Sequence, residues 1–187
     1  VASGGRTPQD SAIASEANSI RTFLSSRMYG KPYVVSEHGH VFWNQYRYEQ
    51  GLMTGAYAAL NDFDALTAFF MQVTTLPNQR ITAFEIRHDP VARAAELITA
   101  LLYRREDVKS SNVEFRIRLD VADAVKNAMD TDGVSATQLK LGLLGQTYVD
   151  TTSLPVLKNQ VLLERLGSSK TAVRQAVHAV AVRIASR

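Results

Sequence analysis

The sequence predicts an α/β protein built on parallel βα units, with a small α+β appendage at its C-terminal end. Three observations predict it. Helical and extended signatures alternate over the first 110 residues in the order helix, strand, helix, strand, helix, the pattern of parallel βα units. The extended stretches in that part are short apolar runs behind turn punctuation, as in strands covered on both faces. After Arg105-Glu106-Asp107 the texture changes to strict apolar/polar alternation, which places a boundary near Ser110 and divides the chain into residues 1–110 and 111–187.

The elements follow in order. Residues 1–9 carry Gly, Ser and Pro and read as a flexible lead-in. Asp10 or Ser11 caps a helix over 11–28, where Ile13, Ala17, Ile20 and Leu24 recur at helical spacing. Tyr29-Gly30-Lys31-Pro32 stops it. Tyr33-Val34-Val35-Ser36 is then a buried parallel strand ending in Glu37-His38-Gly39-His40. The aromatic stretch Val41-Phe42-Trp43-Asn44 leads into a helix over 45–60, and Asn61-Asp62 turns the chain into a second buried strand, 65–71, with Phe69 and Phe70. A loop with Thr74, Thr75, Pro77 and Asn78 follows. Asp89-Pro90 opens the next helix, Asp as cap and Pro at the first helical position, and it runs to Tyr103.

In the appendage, Val113, Phe115, Ile117 and Leu119 alternate with Glu114, Arg116 and Arg118, so the strand should keep one face on a core and turn Arg116 and Arg118 into water. Asp130-Thr131-Asp132-Gly133 is a turn, 139–144 is apolar, and helices over 156–166 and 170–185 close the chain. The last places Val173, Val177, Val180 and Ile184 on one stripe, with Lys170, Arg174, Arg183 and Arg187 mostly elsewhere. Such a helix packs on its own core with a solvated basic face, or meets a membrane, nucleic acid or partner subunit.

Composition narrows the function classes. With 187 residues, 45% hydrophobic and 21% charged, the chain is an ordinary globular protein of one domain or one domain plus appendage. Its net charge of +3 is mild and its first-half basic residues are scattered, so no nucleic-acid partner is expected. No apolar run approaches the roughly 20 residues of a membrane helix, so no membrane partner is expected either. The lack of cysteine excludes a disulfide scaffold and thiolate chemistry without fixing the compartment. The chain starts at Val1 with no signal-peptide pattern, which suggests a processed form or an excised piece.

The candidate chemistry centres on Glu37. In parallel sheets the loops after the C-terminal strand ends build active sites, and Glu37 closes an apolar run in front of Gly39 and a Trp- and Asn-bearing loop. There it fits a nucleophile beside an aromatic sugar platform of Trp43 with Tyr46 or Phe42. The spacing equally fits a loop-capping Glu37 paired with an arginine such as Arg47, with Trp43 in the core. His38 and His40 form a His-x-His with Glu37 beside it, but a metal site needs further ligands. His88, His178 and the remaining carboxylates show no spacing that supplies them. Ordinary loop histidines, or partners orienting Glu37, fit better; no metal and no cofactor are expected.

A set of segments carries a resemblance. Lys31-Pro32-Tyr33-Val34-Val35-Ser36-Glu37, then Trp43-Asn44, Gly51-Leu52-Met53 and Ala56-Tyr57-Ala58-Ala59-Leu60, resembles the seventh strand and helix of the retaining (β/α)8 glycoside hydrolases, the clan of β-galactosidases, agarases and endoglucanases. Asp62-Phe63-Asp64-Ala65-Leu66 into Phe69-Phe70 is similar to its eighth strand. Asp89-Pro90-Val91-Ala92-Arg93 through Arg104-Arg105-Glu106-Asp107-Val108-Lys109 resembles the final barrel helix and its exit. The resemblance covers about residues 10–110 and implies C-terminal βα units of a (β/α)8 barrel. It implies a carbohydrate substrate, a polysaccharide or galactoside, with Glu37 as nucleophile and His38, His40, Trp43, Asn44 and Phe70 around the sugar. It also implies a secreted or periplasmic setting if the substrate is a polysaccharide.

The clan's acid/base is the Glu of an Asn-Glu pair at the fourth strand, and this sequence contains no Asn-Glu pair. Glu49 and Glu85 are the nearest substitutes, and neither is well placed. At the eighth strand's end, Phe69-Phe70-Met71 stands where the clan often carries Trp. The chain therefore looks like a barrel segment, inactive alone, with self-association or complementation by the other barrel half expected. A non-catalytic carbohydrate-binding or protein-interaction domain is the alternative.

Overall fold

Two small parallel sheets, each backed by helical segments, organise the chain, which is a mixed α/β protein. A computed structural model describes residues 9–70, 81–120, 122 and 138–164. The expected turn at 130–133 and helix at 170–185 lie outside the described residues, as do Met71 and the loop with Thr74 to Asn78.

The first helix is shorter than its apolar spacing suggested. Glu16 and Ala17 take left-handed backbone angles, φ 54° and 53°, which breaks the run. Ser11 closes a separate turn upstream, its hydroxyl accepting from the Ala14 N–H at 3.0 Å and donating to Glu49 Oε1 at 2.8 Å. Helix α1 is Asn18–Leu24, and its Ile20 and Leu24 enter the core as their spacing required.

Strand β1, Val34–His38, helix α2, Glu49–Leu60, and strand β2, Ala65–Ala68, form one βα unit returning in parallel, β1 beside β2. Asp64 locks its start: its carboxylate accepts the Tyr33 N–H at 2.7 Å and its own N–H donates to the Tyr33 carbonyl at 3.0 Å. The alternation of strand and helix legible in the sequence is present. The barrel is not: the two strands stand alone as a sheet, and the described residues close no barrel. Val35 is buried while Val34 is 52% exposed, so β1 is covered on one face rather than both.

Helix α3, Pro90–Thr99, has the expected Asp cap, with Asp89 Oδ1 accepting the Val91 N–H at 2.9 Å, and it widens into a π-helical turn, Ala100–Arg104. It packs on α2 through small residues. A Cβ on Gly55 would lie 2.9 Å from Thr99 Cα, and one on Gly51 would run into the Ala95 backbone. Glycine at these two positions is what lets the helices approach.

The second sheet has the order β4-β3-β5, from β3, Glu114–Arg118, β4, Gln146–Asp150, and β5, Gln160–Glu164, all parallel. Two expectations are corrected here. The stretch assigned to a helix over 156–166 holds strand β5, because Val161-Leu162-Leu163 pairs along β3 instead of coiling. Strand β3 is covered on both faces, not one, with residues 154–155 and Asp150 over Arg116, so Arg116 is fully buried rather than turned into water. The apolar stretch 139–144 falls in a 3₁₀ segment, Gln138–Leu143.

Polar contacts join residues on either side of position 110. Asn61, fully buried, donates to the Gly142 carbonyl at 2.9 Å and accepts from the Thr147 N–H at 3.1 Å. Val149 N–H donates to the Arg27 carbonyl and Tyr29 N–H to the Val149 carbonyl. The Arg27 guanidinium lies 3.9 Å from the Tyr148 ring centre and donates to the Tyr148 hydroxyl and the Asp62 carbonyl. Leu139 meets Ile20, Leu24, Val35, Met53 and Phe63 in one apolar cluster.

Candidate functional site

The C-terminal end of β1 opens a cleft of about 390 Å³ lined by Phe23, Glu37, His38, Gly39, Phe69 and Phe84. A bulge creates its geometry. Val35 pairs with Leu66 and His38 with Ala68, so Ser36 and Glu37 together face the single residue Thr67. In an unbroken strand Val35 and Glu37 would share one face, and Glu37 would follow Val35 inward. The extra residue carries Val35 and His38 onto the buried face and leaves Glu37 exposed. Bulges re-aim side chains in this way beside functional sites.

The floor is aromatic. Phe69 and Phe84 meet edge to face with ring centres 4.9 Å apart, and Phe69 N–H donates to the His38 carbonyl at 2.8 Å, continuing the β1–β2 pairing one step past the strand. Gly39 sits tight against this pair: a Cβ there would lie 3.3 Å from the Phe69 carbonyl oxygen and 3.5 Å from the Phe84 ring. Glycine at 39 therefore keeps the cleft open at the point where the chain leaves the strand.

Glu37 makes no hydrogen bond or ion pair with any described residue. Arg47, the arginine considered for it, pairs with Asp89 instead, Nε to Oδ2 at 2.8 Å, and lies against the Phe42 ring. The carboxylate is thus held by the backbone alone, with its lone pairs available.

His38, by contrast, is 7% exposed and its Nδ1 stands 3.4 Å from Gln50 Nε2. Burial, with a smaller contribution from His40, brings its pKa down to about 4, so the imidazole is neutral near pH 7. Gln50 also takes the His40 backbone N–H on Oε1 at 2.6 Å, tying the strand exit to the first turn of α2. Burial likewise lowers the pKa of His40, against an opposing pull from Glu49.

The remaining expected site residues disperse. His40 is half-buried outside the cleft lining, and Trp43 is 53% exposed and also outside it. Asn44 is buried in the turn before α2, where its Oδ1 accepts the Tyr46 N–H at 2.8 Å. Phe70 is half-buried, and it is Phe69 that lines the cleft. Phe23, Phe84 and Gln50 were not anticipated. Gln50 left one trace in the sequence, a polar residue in the first turn of α2 on the side that must face β1.

Neither substitute carboxyl reaches the cleft. Glu49 accepts from the Ser11 hydroxyl and the Ile13 N–H at 2.8 and 3.1 Å. Glu85 is buried and paired with Arg87 at 3.1 Å. Burial pushes the Glu85 pKa up, but Arg87 and the backbone N–H groups of Thr82, His88 and Arg87 outweigh it and hold the carboxyl ionised. No group of three His, Cys, Asp or Glu side chains suited to a metal ion occurs among the described residues. No described helix is long and apolar enough to cross a membrane.

Among the described residues the site is one carboxylate without a partner above an aromatic floor, beside a neutral imidazole and at the end of a parallel strand. No family model, curated protein or solved structure matches the chain.

Proposed function

We propose that the chain carries the nucleophile segment of a retaining glycosidase acting on a polysaccharide or galactoside, with Glu37 as the nucleophile. The observation that carries the reading is the bulge. It delivers a carboxylate with no partner among the described residues to the C-terminal end of a parallel strand, over a cleft floored by Phe69 and Phe84. Glu37 attacks the anomeric carbon, the glycosidic C–O bond breaks, and a glycosyl ester forms on the carboxylate. A retaining enzyme also needs an acid about 5–5.5 Å from the nucleophile to protonate the leaving oxygen. Among the described residues Glu49 and Glu85 are engaged elsewhere, and on this reading the acid comes from the rest of a barrel, in a longer polypeptide or a complementing chain.

Among the described residues no second carboxyl lines the cleft, which favours one other reading, a non-catalytic carbohydrate-binding domain. A single experiment separates the two. 2,4-Dinitrophenyl 2-deoxy-2-fluoroglycosides carry a leaving group that departs without an acid, so a nucleophile alone can be trapped by them. Incubation with a panel of gluco, galacto and xylo forms, followed by peptide mass spectrometry, should place one glycosyl adduct on the peptide containing Glu37 and none in Glu37→Gln. Absence of an adduct from the whole panel, or an adduct that persists in Glu37→Gln, rules out the nucleophile.

A further inference from the structure

The Gln50 side-chain amide lies between the His40 backbone N–H and the His38 ring. The backbone N–H of His40 points at one end of the Gln50 amide, 2.6 Å away. A backbone N–H only donates, so the amide oxygen must occupy that end. The NH₂ group is left facing His38 Nδ1 at 3.4 Å, and NH₂ also only donates. Nδ1 must therefore offer its lone pair, and the ring proton of the neutral imidazole falls on Nε2. No described residue accepts a hydrogen bond from Nε2, and His38, though 7% exposed, lines the cleft.

We infer that Gln50 is a positioning residue that fixes His38 as its Nε2–H tautomer, and that His38 is a neutral hydrogen-bond donor to an oxygen of the ligand bound beside Glu37. On the glycosidase reading, on which the ligand's identity rests, that oxygen is a sugar hydroxyl. The tautomer itself does not depend on that reading. The arrangement assigns different tasks to adjacent residues: Glu37 supplies negative charge, and His38 supplies a donor without adding a positive charge that would pair with it.

The test is two-bond ¹H–¹⁵N correlation spectroscopy of the histidine rings in the ¹⁵N-labelled protein at pH 6.5 to 7. His38 should show a protonated Nε2 and an unprotonated Nδ1. In Gln50→Glu the carboxylate accepts the His40 N–H and can only accept from His38 as well, so the proton should move to Nδ1. Gln50→Met, which removes the restraint without adding charge, should give a mixture of tautomers. A wild-type ring protonated on Nδ1, or one unchanged in Gln50→Met, overturns the assignment even if Gln50→Glu does not fold. Titration with cellohexaose, xylohexaose, agarohexaose and galactobiose should then shift the Nε2–H resonance for at least one saccharide. Gln50→Met should weaken that binding by about twofold, since an even mixture leaves half of the rings able to donate from Nε2, and a folded Gln50→Glu should weaken it by about tenfold, the worth of the lost hydrogen bond. If the tautomer is as inferred but no saccharide shifts Nε2–H, the ligand assignment fails and the positioning role stands. If a saccharide binds while the ring is protonated on Nδ1, the positioning role fails and the glycosidase reading is untouched.

Discussion

Each of the two parallel sheets carries a carboxylate towards the C-terminal ends of its strands, and the sheets treat it in opposite ways. Glu37, beside the last residue of β1, is exposed and has no partner among the described residues. Asp150, the last residue of β4, is fully buried and saturated. Its Oδ2 accepts from Arg116 Nη2 and Nε at 2.8 and 3.1 Å, and its Oδ1 accepts from the Thr152 N–H and hydroxyl at 2.8 and 2.7 Å. Arg116 goes on to the carbonyls of Leu154 and Pro155, to Gln160 Oε1 and to the face of Tyr29. Strands β4 and β5 flank β3, so the connection 151–159 has to cross β3, in fewer residues than the dozen or more a parallel crossover usually takes. Arg116 clasps that crossover. A strand-end carboxylate is thus a site candidate only when its partners leave it free.

The largest effect should come from breaking the clasp. Asp150→Ala strands a buried guanidinium and should cost about 3–5 kcal/mol of unfolding free energy, read from urea denaturation. The double variant Arg116→Met, Asp150→Leu removes both charges and should recover at least about 1 kcal/mol of that loss. If Asp150→Ala proved neutral, the pair would not hold the crossover and the contrast between the sheets would collapse.

Acid sharpens the comparison, because the two sheets respond in different windows. The His38 pKa lies at about 4 in the folded chain against an ordinary value of 6.5, so its contribution is complete above 6.5. The unfolded chain takes up the proton first, so stability falls as pH drops from 6.5 towards 4, by up to roughly 1.4 kcal/mol per pH unit. Asp150 acts later. Burial pushes its pKa up, but Thr152 and Arg116 pull harder and hold it below the usual 3.8, so its contribution persists above that value and is lost as pH falls further. Urea unfolding at pH 7, 5.5 and 4.2 should therefore show a decline that His38→Gln flattens. A profile indifferent to His38→Gln would mean that the imidazole is not buried neutral.

The sequence was most legible where local chemistry and tertiary packing agree. Asp89-Pro90 states a helix start in residues that meet directly, and the alternation around 33–68 states a βα unit because turn punctuation at 29–32 and 61–62 brackets each apolar run. Arg116 was misread because alternation with Phe115 and Ile117 means a solvent face only when nothing covers it. The cover comes from residues 154–155 and from Asp150, 34 positions away. Strand β5 was misread as helix for a related reason: Val161-Leu162-Leu163 is too short for a period to distinguish the two, and its pairing with β3 decides. Glu37 was placed at its strand end correctly, yet its exposure depends on a bulge, and a bulge belongs to the register between two strands rather than to either one.

The smallest effect on stability belongs to Glu37. A carboxylate with no partner among the described residues has no folded-state interaction to lose, so Glu37→Gln, which keeps the shape and removes the charge, should change the unfolding free energy by no more than about 0.5 kcal/mol. The same substitution should abolish covalent labelling, since an amide cannot displace the leaving group. Removing the bulge by inserting one alanine after Thr67, so that Ser36 and Glu37 each gain a partner on β2, should put Glu37 on the same face as Val35 and turn it towards the core. That variant separates position from identity, because it retains the glutamate but buries it. It should lose labelling and, unlike Glu37→Gln, lose stability by more than about 1 kcal/mol, since a buried carboxylate would then lack a partner. Equal labelling in both forms would show that the bulge does not aim the carboxylate.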